Sequence, residues 1–135
     1  FKRAYNQDTN EEERRKLLEY KDTFMKIALI WGASNSNQRN IYEELIKRER
    51  NMELWEIQAS LITSLLCKPE YLHYIGTGIG KQRGYGYILR IVCRHPNVSS
   101  ETLNYVEDDE SLEFRYRQVA QAALKYSKGV ASHQI

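Results

Sequence analysis

The chain has 135 residues, the length of one domain, and its 41% hydrophobic and 28% charged residues are typical of a globular protein rather than a disordered or collagen-like one. Its 20 basic and 18 acidic residues nearly balance, which disfavours nucleic acid and anionic membranes as partners. No run approaches the roughly 18 consecutive apolar residues of a membrane span and no signal-peptide pattern is present, so we expect a cytoplasmic protein with no transmembrane segment.

Residues 1–8 are predicted to form a polar arm ahead of two helices. Thr9 and Glu12 have the spacing of a capping box, which satisfies free backbone N–H groups at the start of a helix. Gly32 is expected to end that helix, and residues 34–40 to form a polar loop before the second one. Apolar residues at helical spacing mark one face of each helix: Leu17, Phe24, Ile27, Ala28 and Trp31 in the first, and Ile41, Tyr42, Leu45 and Ile46 in the second.

The middle of the chain predicts three more helices. A long helix is expected over residues 52–66, and Pro69 suits the first turn of a short helix because its missing N–H would be unpaired there. The short helix should close at Gly76, and the glycine-rich segment Gly76–Gly86 should be a loop. The helix after this loop should end before His95, because the proline that follows this histidine disfavours helical backbone.

The last part of the chain predicts a short helix and a long one. Ser99 is the expected N-cap of the short helix, and the acidic run Glu107–Glu110 separates it from the long helix. The long helix should end at Gly129, which leaves residues 130–135 as a tail. No segment alternates apolar and polar residues for long enough to be a strand. The sequence therefore predicts an all-α fold and a single domain over residues 9–129.

Apolar positions recur at an interval of about 31 residues, which lies within the range of helical repeats. Aligning the window that starts at Ile57 with the window that starts at Ile88 superposes a long helix, a break and a short helix. Tyr74 and Tyr105 also coincide. The interval predicts a short α-solenoid of long and short helix pairs. Its predicted continuous core contains Ile57, Leu61, Leu72, Ile88, Val92, Leu103, Val119 and Ala123.

One unit of this repeat carries the features of a known family. Residues 88–103 combine a hydrophobic helix, a break at His95–Asn97 and a short helix with a leucine. The acidic turn Glu107–Glu110 follows, and Arg115 opens the next helix. In these features residues 57–126 resemble the leucine-rich repeat variant, whose HEAT-like units form a right-handed solenoid. The resemblance implies a binding scaffold without catalytic residues.

The segment Gly76–Gly86 invites comparison with a phosphate-binding loop. A Walker loop needs Ser or Thr after its lysine, whereas Gln82 follows Lys81 in this chain. Exposed backbone N–H groups together with Lys81 and Arg83 are nevertheless suited to a phosphate or another acidic group. Nucleotide or phosphate binding by this loop is therefore an alternative to the binding-scaffold interpretation.

Metal and thiol chemistry find little support in the sequence. Cys67 and Cys93 form no CxxC pair and lie in apolar helical stretches, so we expect buried free thiols. The three histidines are far apart, and the acidic run lacks the spaced ligands and glycine of an EF-hand. We expect no metal, no cofactor and no catalytic residue, and we do not expect an enzyme.

Aromatic and basic side chains supply the candidate partner-binding residues, which are Tyr74, Tyr105, Lys81, Arg83, Arg90 and Arg94. Tyrosines at equivalent repeat positions could form a binding surface, but packing between repeats is the favoured interpretation because tyrosine is intermediate in burial. The arginines of this set could bind acidic groups of a partner, and Arg115 and Arg117 are further candidates for the same role. We expect a non-enzymatic protein-interaction module that binds a protein or peptide, as a fragment of a larger scaffold or effector. An RNA- or phospholipid-binding helical module is the other alternative.

Overall fold

The computed structural model describes residues 1–51, 54–78 and 86–133, with side chains as far as residue 126 in the last range. These residues form nine helices and no strand, which confirms the predicted all-α class. None of these helices is long and apolar enough to cross a membrane. The helices are α1 (Lys2–Tyr5), α2 (Glu11–Leu17), α3 (Thr23–Asn35), α4 (Arg39–Glu49), α5 (Trp55–Thr63), α6 (Pro69–Thr77), α7 (Gly86–Arg94), α8 (Ser100–Asp108) and α9 (Phe114–His133).

The chain divides into two compact units, Phe1–Leu66 and Cys67–Ile135. The first unit contains α1 to α5 and the second contains α6 to α9. Residues 1–8 of the first unit are more than a polar arm, because they include the helical turn α1, whose Ala4 is fully buried. The single domain predicted over residues 9–129 stays a prediction.

The first predicted helix is in fact two helices, α2 and α3, separated by a break. Asp22 starts α3 as its N-cap, and its side chain accepts a hydrogen bond from the backbone N–H of Met25 at 3.0 Å. The predicted capping box at Thr9 is also wrong. Asn10 caps α2 instead, and its side chain accepts from the N–H of Glu13 at 2.8 Å. Local side-chain capping therefore outweighs the apolar periodicity that runs across the break.

Gly32 lies inside α3, which continues to Asn35, so the predicted helix stop is wrong. A Cβ atom at this position would overlap the carbonyl oxygen of Ala4 and lie 2.8 Å from Nε of Arg14. The glycine therefore serves the close approach of α1 to α3 rather than the end of a helix.

We expect Gly32→Ala to lower the free energy of unfolding by about 1–3 kcal/mol, because the new methyl group must displace backbone of α1. At an ordinary helical position the same change stabilises a protein by up to about 1 kcal/mol. The sign of the effect is therefore informative. Urea denaturation measures it, and a more stable Gly32→Ala variant would contradict the packing of α1 against α3.

Arg14 is fully buried and joins the beginning of the chain to the turn between α3 and α4. Its Nε donates to the carbonyl of Ala4 at 3.0 Å, and its Nη1 donates to the carbonyl of Thr9 at 2.9 Å. Nη1 also donates to Oε1 of Gln38 at 2.6 Å, and Nη2 donates to the carbonyl of Asn6. Burial lowers the pKa of Arg14, because the charged guanidinium loses contact with water. The hydrogen bonds compensate that loss.

The core of the first unit lies among α3, α4 and α5. Lys26 on α3 pairs with Glu49 on α4 at 3.0 Å, and both side chains are largely buried. Gln58 on α5 donates to the carbonyl of Glu49 at 2.8 Å. Phe24 and Trp31, predicted on the apolar stripe of the first helix, are exposed. The buried apolar residues of these three helices are Ala28, Leu29, Ile30, Ala33, Ile41, Tyr42, Leu45, Ile57, Leu61 and Ile62.

Two predicted helix starts in the second unit are confirmed. Pro69 lies in the first turn of α6, and Ser99 caps α8 by accepting a hydrogen bond from the N–H of Thr102 at 3.2 Å. The predicted end of the last helix at Gly129 is wrong, because α9 continues to His133. A glycine inside a helix costs only about 1 kcal/mol relative to alanine, so one glycine does not by itself end the helix.

The predicted loop Gly76–Gly86 has helical ends. Gly76 lies inside α6, where a Cβ atom would be 3.2 Å from Cγ1 of Val92, and Gly86 is the first residue of α7. A Cβ atom at Gly86 would overlap the ring of Tyr116. These two glycines therefore allow close packing between helices. Residues 79–85 of the predicted loop lie outside the described residues.

A second hydrophobic core joins α7, α8 and α9. Its buried members are Leu89, Cys93, Leu103, Val106, Ala120 and Leu124. Six of the eight predicted core residues are buried, which confirms most of the predicted burial. Val119 and Ala123 are the exceptions, since they are only partly buried while Ala120 and Leu124 face inward. Helix α9 is thus rotated slightly from the orientation that the repeat alignment predicts.

Helix starts and side-chain hydrogen bonds recur at intervals close to the predicted period of about 31 residues. Helices α5 and α7 have nine residues each and begin 31 positions apart, and α6 and α8 share the same length and offset. Side-chain hydrogen bonds within each unit connect residues 29 or 30 positions apart. These pairs are Thr9–Gln38 and Ser34–Ser64 in the first unit, and Cys67–Asn97 and His73–Thr102 in the second.

Candidate functional site

A groove of about 690 Å³ lies among α7, α8 and α9 in the second unit, and we call it the α7–α9 groove. Its volume lies in the range of roughly 300–1,000 Å³ that is usual for ligand pockets. Seven of the residues that line it are apolar or weakly polar: Cys93, Pro96, Val98, Leu103, Val119, Ala122 and Ala123. The other lining residues are Arg94, His95, Arg115, Gln118 and Tyr126.

The apolar surface of the groove is partly accessible to solvent. Cys93 and Leu103 are buried at the base, whereas Val98, Val119 and Ala123 are only partly buried against them. Partly buried apolar residues can still lose solvent contact when a partner binds, and that loss is the main favourable term in association. Tyr126 extends this surface outward with 76% of its area exposed.

Two arginines line the edge of the groove. Arg94 is the last residue of α7 and is exposed, and its side chain makes no hydrogen bond or ion pair within the described part of the chain. Arg115 lies near the start of α9, where its Nε is 2.9 Å from Oε2 of Glu113. Its guanidinium also lies 4.7 Å from the ring centroid of Tyr116. The edge of the groove therefore carries positive charge in two places.

The turn His95–Asn97 forms one wall of the groove, and α7 ends directly before it as predicted. Nδ1 of His95 accepts a hydrogen bond from the backbone N–H of Asn97 at 2.9 Å. The Asn97 side chain donates to the carbonyl of Cys67 at 2.9 Å. These bonds fix the turn to the segment before α6. The break that the sequence shows at His95–Asn97 is thus a fixed turn that ends α7 directly after Arg94.

The two predicted tyrosines lie on α6 and α8. Tyr74 is half-buried, and its ring stacks on that of Tyr71 with centroids 5.9 Å apart. Tyr105 is 43% exposed and meets the ring of His73 edge-on at 6.3 Å. Nδ1 of His73 is in turn 2.8 Å from Oγ1 of Thr102. Neither tyrosine lines the α7–α9 groove, and the predicted tyrosine ladder stays a prediction.

The predicted basic residues differ in whether they line the α7–α9 groove. Arg94 lines the groove, whereas Arg90 is exposed on the same helix but is not among the lining residues. Lys81 and Arg83 lie outside the described residues. The further candidate Arg115 lines the groove, while Nε of Arg117 donates to the carbonyl of Glu107 at 2.8 Å. Two of the arginines that sequence analysis singled out therefore meet at one site.

The sequence did not reveal the apolar half of the site. Val119 and Ala123 have the spacing of core residues, and only the packing of α9 shows that they stay partly open. The exposed Tyr126 marks the same helix without indicating which side it lies on. Among the described residues, no group of three or more His, Cys, Asp or Glu side chains could hold a metal ion.

Cys67 and Cys93 are both buried thiols that form no disulfide, as predicted. Burial raises the pKa of the Cys93 thiol from 9.0 to about 11. Because the folded pKa is the higher one, the neutral thiol favours the folded state, and this contribution is lost as the pH rises from 9.0 to about 11.

We therefore expect Cys93 to react slowly with iodoacetamide at pH 8, since the thiolate is the nucleophile. The rate should increase steadily with pH and reach half of its maximum only near pH 11. Peptide mapping by mass spectrometry follows each cysteine separately in the folded chain, and urea-unfolded protein is the control. Labelling of Cys93 at pH 8 as fast as in the unfolded control would contradict its burial.

Comparison with protein-family models, curated proteins and solved structures finds no match to the chain. The similarity to the leucine-rich repeat variant therefore remains a resemblance in the sequence of residues 57–126. The fold and the groove are the basis for assigning a function.

Proposed function

We propose that this chain is a non-enzymatic, helical-repeat protein-interaction module that binds a protein or peptide in the α7–α9 groove. The observation that carries the proposal is the combination of an accessible apolar surface with arginines and a tyrosine at its edge. Buried apolar centres surrounded by polar edges are typical of protein interfaces, in which Tyr and Arg are enriched. These two residue types also contribute many of the residues that dominate binding energy.

The helical-repeat part of the proposal is supported by the intervals along the chain. Two successive helix pairs begin 31 residues apart, and hydrogen bonds in both units connect residues 29 or 30 apart. Repeat proteins present such units as surfaces for partners, because each unit packs on its neighbour and leaves one face open. We further propose a fragment of a larger scaffold or effector as the setting of this module.

Blocking the groove with a large side chain tests the proposal. Ala122 lines the groove and is exposed, so Ala122→Trp fills the groove without entering the core. Gln121→Trp is the matched control, because it places the same side chain at the neighbouring exposed position outside the groove. We expect proteins retained by the immobilised wild-type chain to be retained by Gln121→Trp and lost by Ala122→Trp. Thermal unfolding verifies that both variants are folded.

Two results would overturn the proposal. The first is retention of the same proteins at the same level by Ala122→Trp and the wild type. The second is the absence of any protein that the wild-type chain retains above an unrelated helical domain. Either outcome shows that the groove does not serve protein binding.

A further inference from the structure

The described lining residues of the α7–α9 groove have a one-sided charge. They include Arg94 and Arg115 but no aspartate or glutamate. A partner that carries carboxylates is therefore attracted to both arginines. A partner that places lysine or arginine beside them is repelled. Arginine is suited to this role because its planar guanidinium can donate two parallel hydrogen bonds to one carboxylate.

Both arginines are positioned to accept a new acidic partner. The Glu113–Arg115 pair is solvent-exposed, with about two-thirds of each side chain accessible, so an incoming carboxylate competes with a weak interaction. The ring of Tyr116 supports the Arg115 guanidinium from one side. Arg94 has no such internal competitor within the described part of the chain.

The structure around the groove also restricts the backbone form of a bound peptide. The described residues contain no strand, so the groove offers no sheet edge to which an extended peptide could add. Grooves for proline-rich segments are lined by several aromatic rings, whereas Tyr126 is the one aromatic residue among the described lining residues. An apolar groove between helices instead suits the apolar face of an amphipathic helix.

We infer that the occupant of the groove is an acidic amphipathic helix, whose apolar side chains contact Val98, Val119 and Ala123 while its carboxylates pair with Arg94 and Arg115. The inference rests on the proposed function, because it specifies the partner of the same site. The apolar contacts provide most of the affinity, and the ion pairs select acidic over basic sequences.

Synthetic peptides test the inference on the full chain. The Glu/Leu peptide, of about 18 residues, carries leucine at positions i, i+4 and i+7 and glutamate beside them, and its Lys/Leu counterpart replaces every glutamate with lysine. A third peptide keeps the glutamates but replaces the leucines with serine, and dodecanoate provides a carboxylate on a flexible chain. Fluorescence anisotropy of labelled peptides measures affinity, and competition against the labelled Glu/Leu peptide measures that of dodecanoate.

We expect the Glu/Leu peptide to bind at least about tenfold more tightly than each of the other three probes. The double variant Arg94→Glu with Arg115→Glu should lose about tenfold or more of this affinity and gain affinity for the Lys/Leu peptide. Arg90→Glu is the matched control, because Arg90 is an exposed arginine of α7 outside the groove, and it should stay within about twofold of the wild type.

The outcomes separate this inference from the proposed function. Equal or tighter binding of the Lys/Leu peptide, blocked by Ala122→Trp, would overturn the acidic partner and leave the groove as a binding site. Preferential binding of dodecanoate would overturn the helical partner. Binding of the Glu/Leu peptide that Ala122→Trp does not weaken would place the peptide elsewhere and overturn both proposals. Failure of every peptide to bind would overturn the inference alone, since retention of natural partners tests the function independently.

Discussion

Replacing Arg14 with methionine is expected to lower the free energy of unfolding by about 2–4 kcal/mol, because each buried carbonyl that loses its donor costs about 1–3 kcal/mol. The carbonyls of Ala4 and Thr9 belong to buried residues and accept hydrogen bonds from the Arg14 guanidinium. Methionine keeps much of the side-chain volume but donates no hydrogen bond. Relief of the desolvation that lowers the pKa of Arg14 offsets part of this loss.

Arg15→Met is the control for this change. Arg15 is the next residue in α2, but its side chain is half exposed and its partner is Glu11 at 3.0 Å. An exposed pair at this spacing contributes about 0.5 kcal/mol or less. Chemical denaturation of the two variants and the wild type should therefore give a large difference for Arg14→Met only. Equal losses of stability would mean that the guanidinium of Arg14 does not organise the start of the chain.

Replacing Leu103 with alanine is expected to lower the free energy of unfolding by about 2–5 kcal/mol. Leu103 lies in the core of the second unit, with only 3% of its surface exposed. Alanine removes buried apolar area and leaves a cavity that neighbouring side chains fill only partly. Leu65→Ala provides the matched control, since Leu65 is 72% exposed and the same change there should cost about 0.5 kcal/mol or less.

A loss near zero for Leu103→Ala would contradict both the observed core and the repeat alignment. In that alignment Leu103 occupies the position of Leu72, which is also fully buried. Measuring the stability of Leu103→Ala therefore also tests the predicted interval of about 31 residues, which aligns Leu103 with Leu72.

Local chemistry made parts of the fold predictable. The helix starts at Pro69 and Ser99 depend on the first turn alone, and both are where the sequence predicts them. The all-α class follows from the same kind of short-range pattern. Asp22 carries a capping signal of this type, but the continuous apolar periodicity around it hid the break between α2 and α3.

Glycine positions were harder to predict because their role depends on distant neighbours. Gly32 was expected to end a helix but lies inside α3, whereas α6 ends one residue after Gly76, close to the predicted end. Both glycines also allow a close approach of other segments. Nothing near Gly32 in the sequence indicates that the carbonyl of Ala4 lies against it. A glycine chosen for close packing and a glycine chosen for a helix end look the same in a single sequence.

The candidate site was predictable in its charged residues and not in its apolar surface. Arg94 and Arg115 are recognisable as arginines near helix ends. Val119 and Ala123 resemble core residues, and their partial exposure depends on how α9 is rotated against α7 and α8. In the observed orientation Ala120 is fully buried and its neighbour Val119 is only partly buried.

Chemical-shift mapping tests the binding groove most directly. Adding the Glu/Leu peptide to isotope-labelled full chain should shift the backbone amides of groove residues, including Arg94, Val98, Val119 and Ala123. Residues of the predicted loop Gly76–Gly86 and of the first unit should shift little. The alternative interpretation of that loop as an anion-binding segment predicts the reverse. Shifts concentrated in Gly76–Gly86, with the groove amides unchanged, would contradict the assignment of the α7–α9 groove as the binding site.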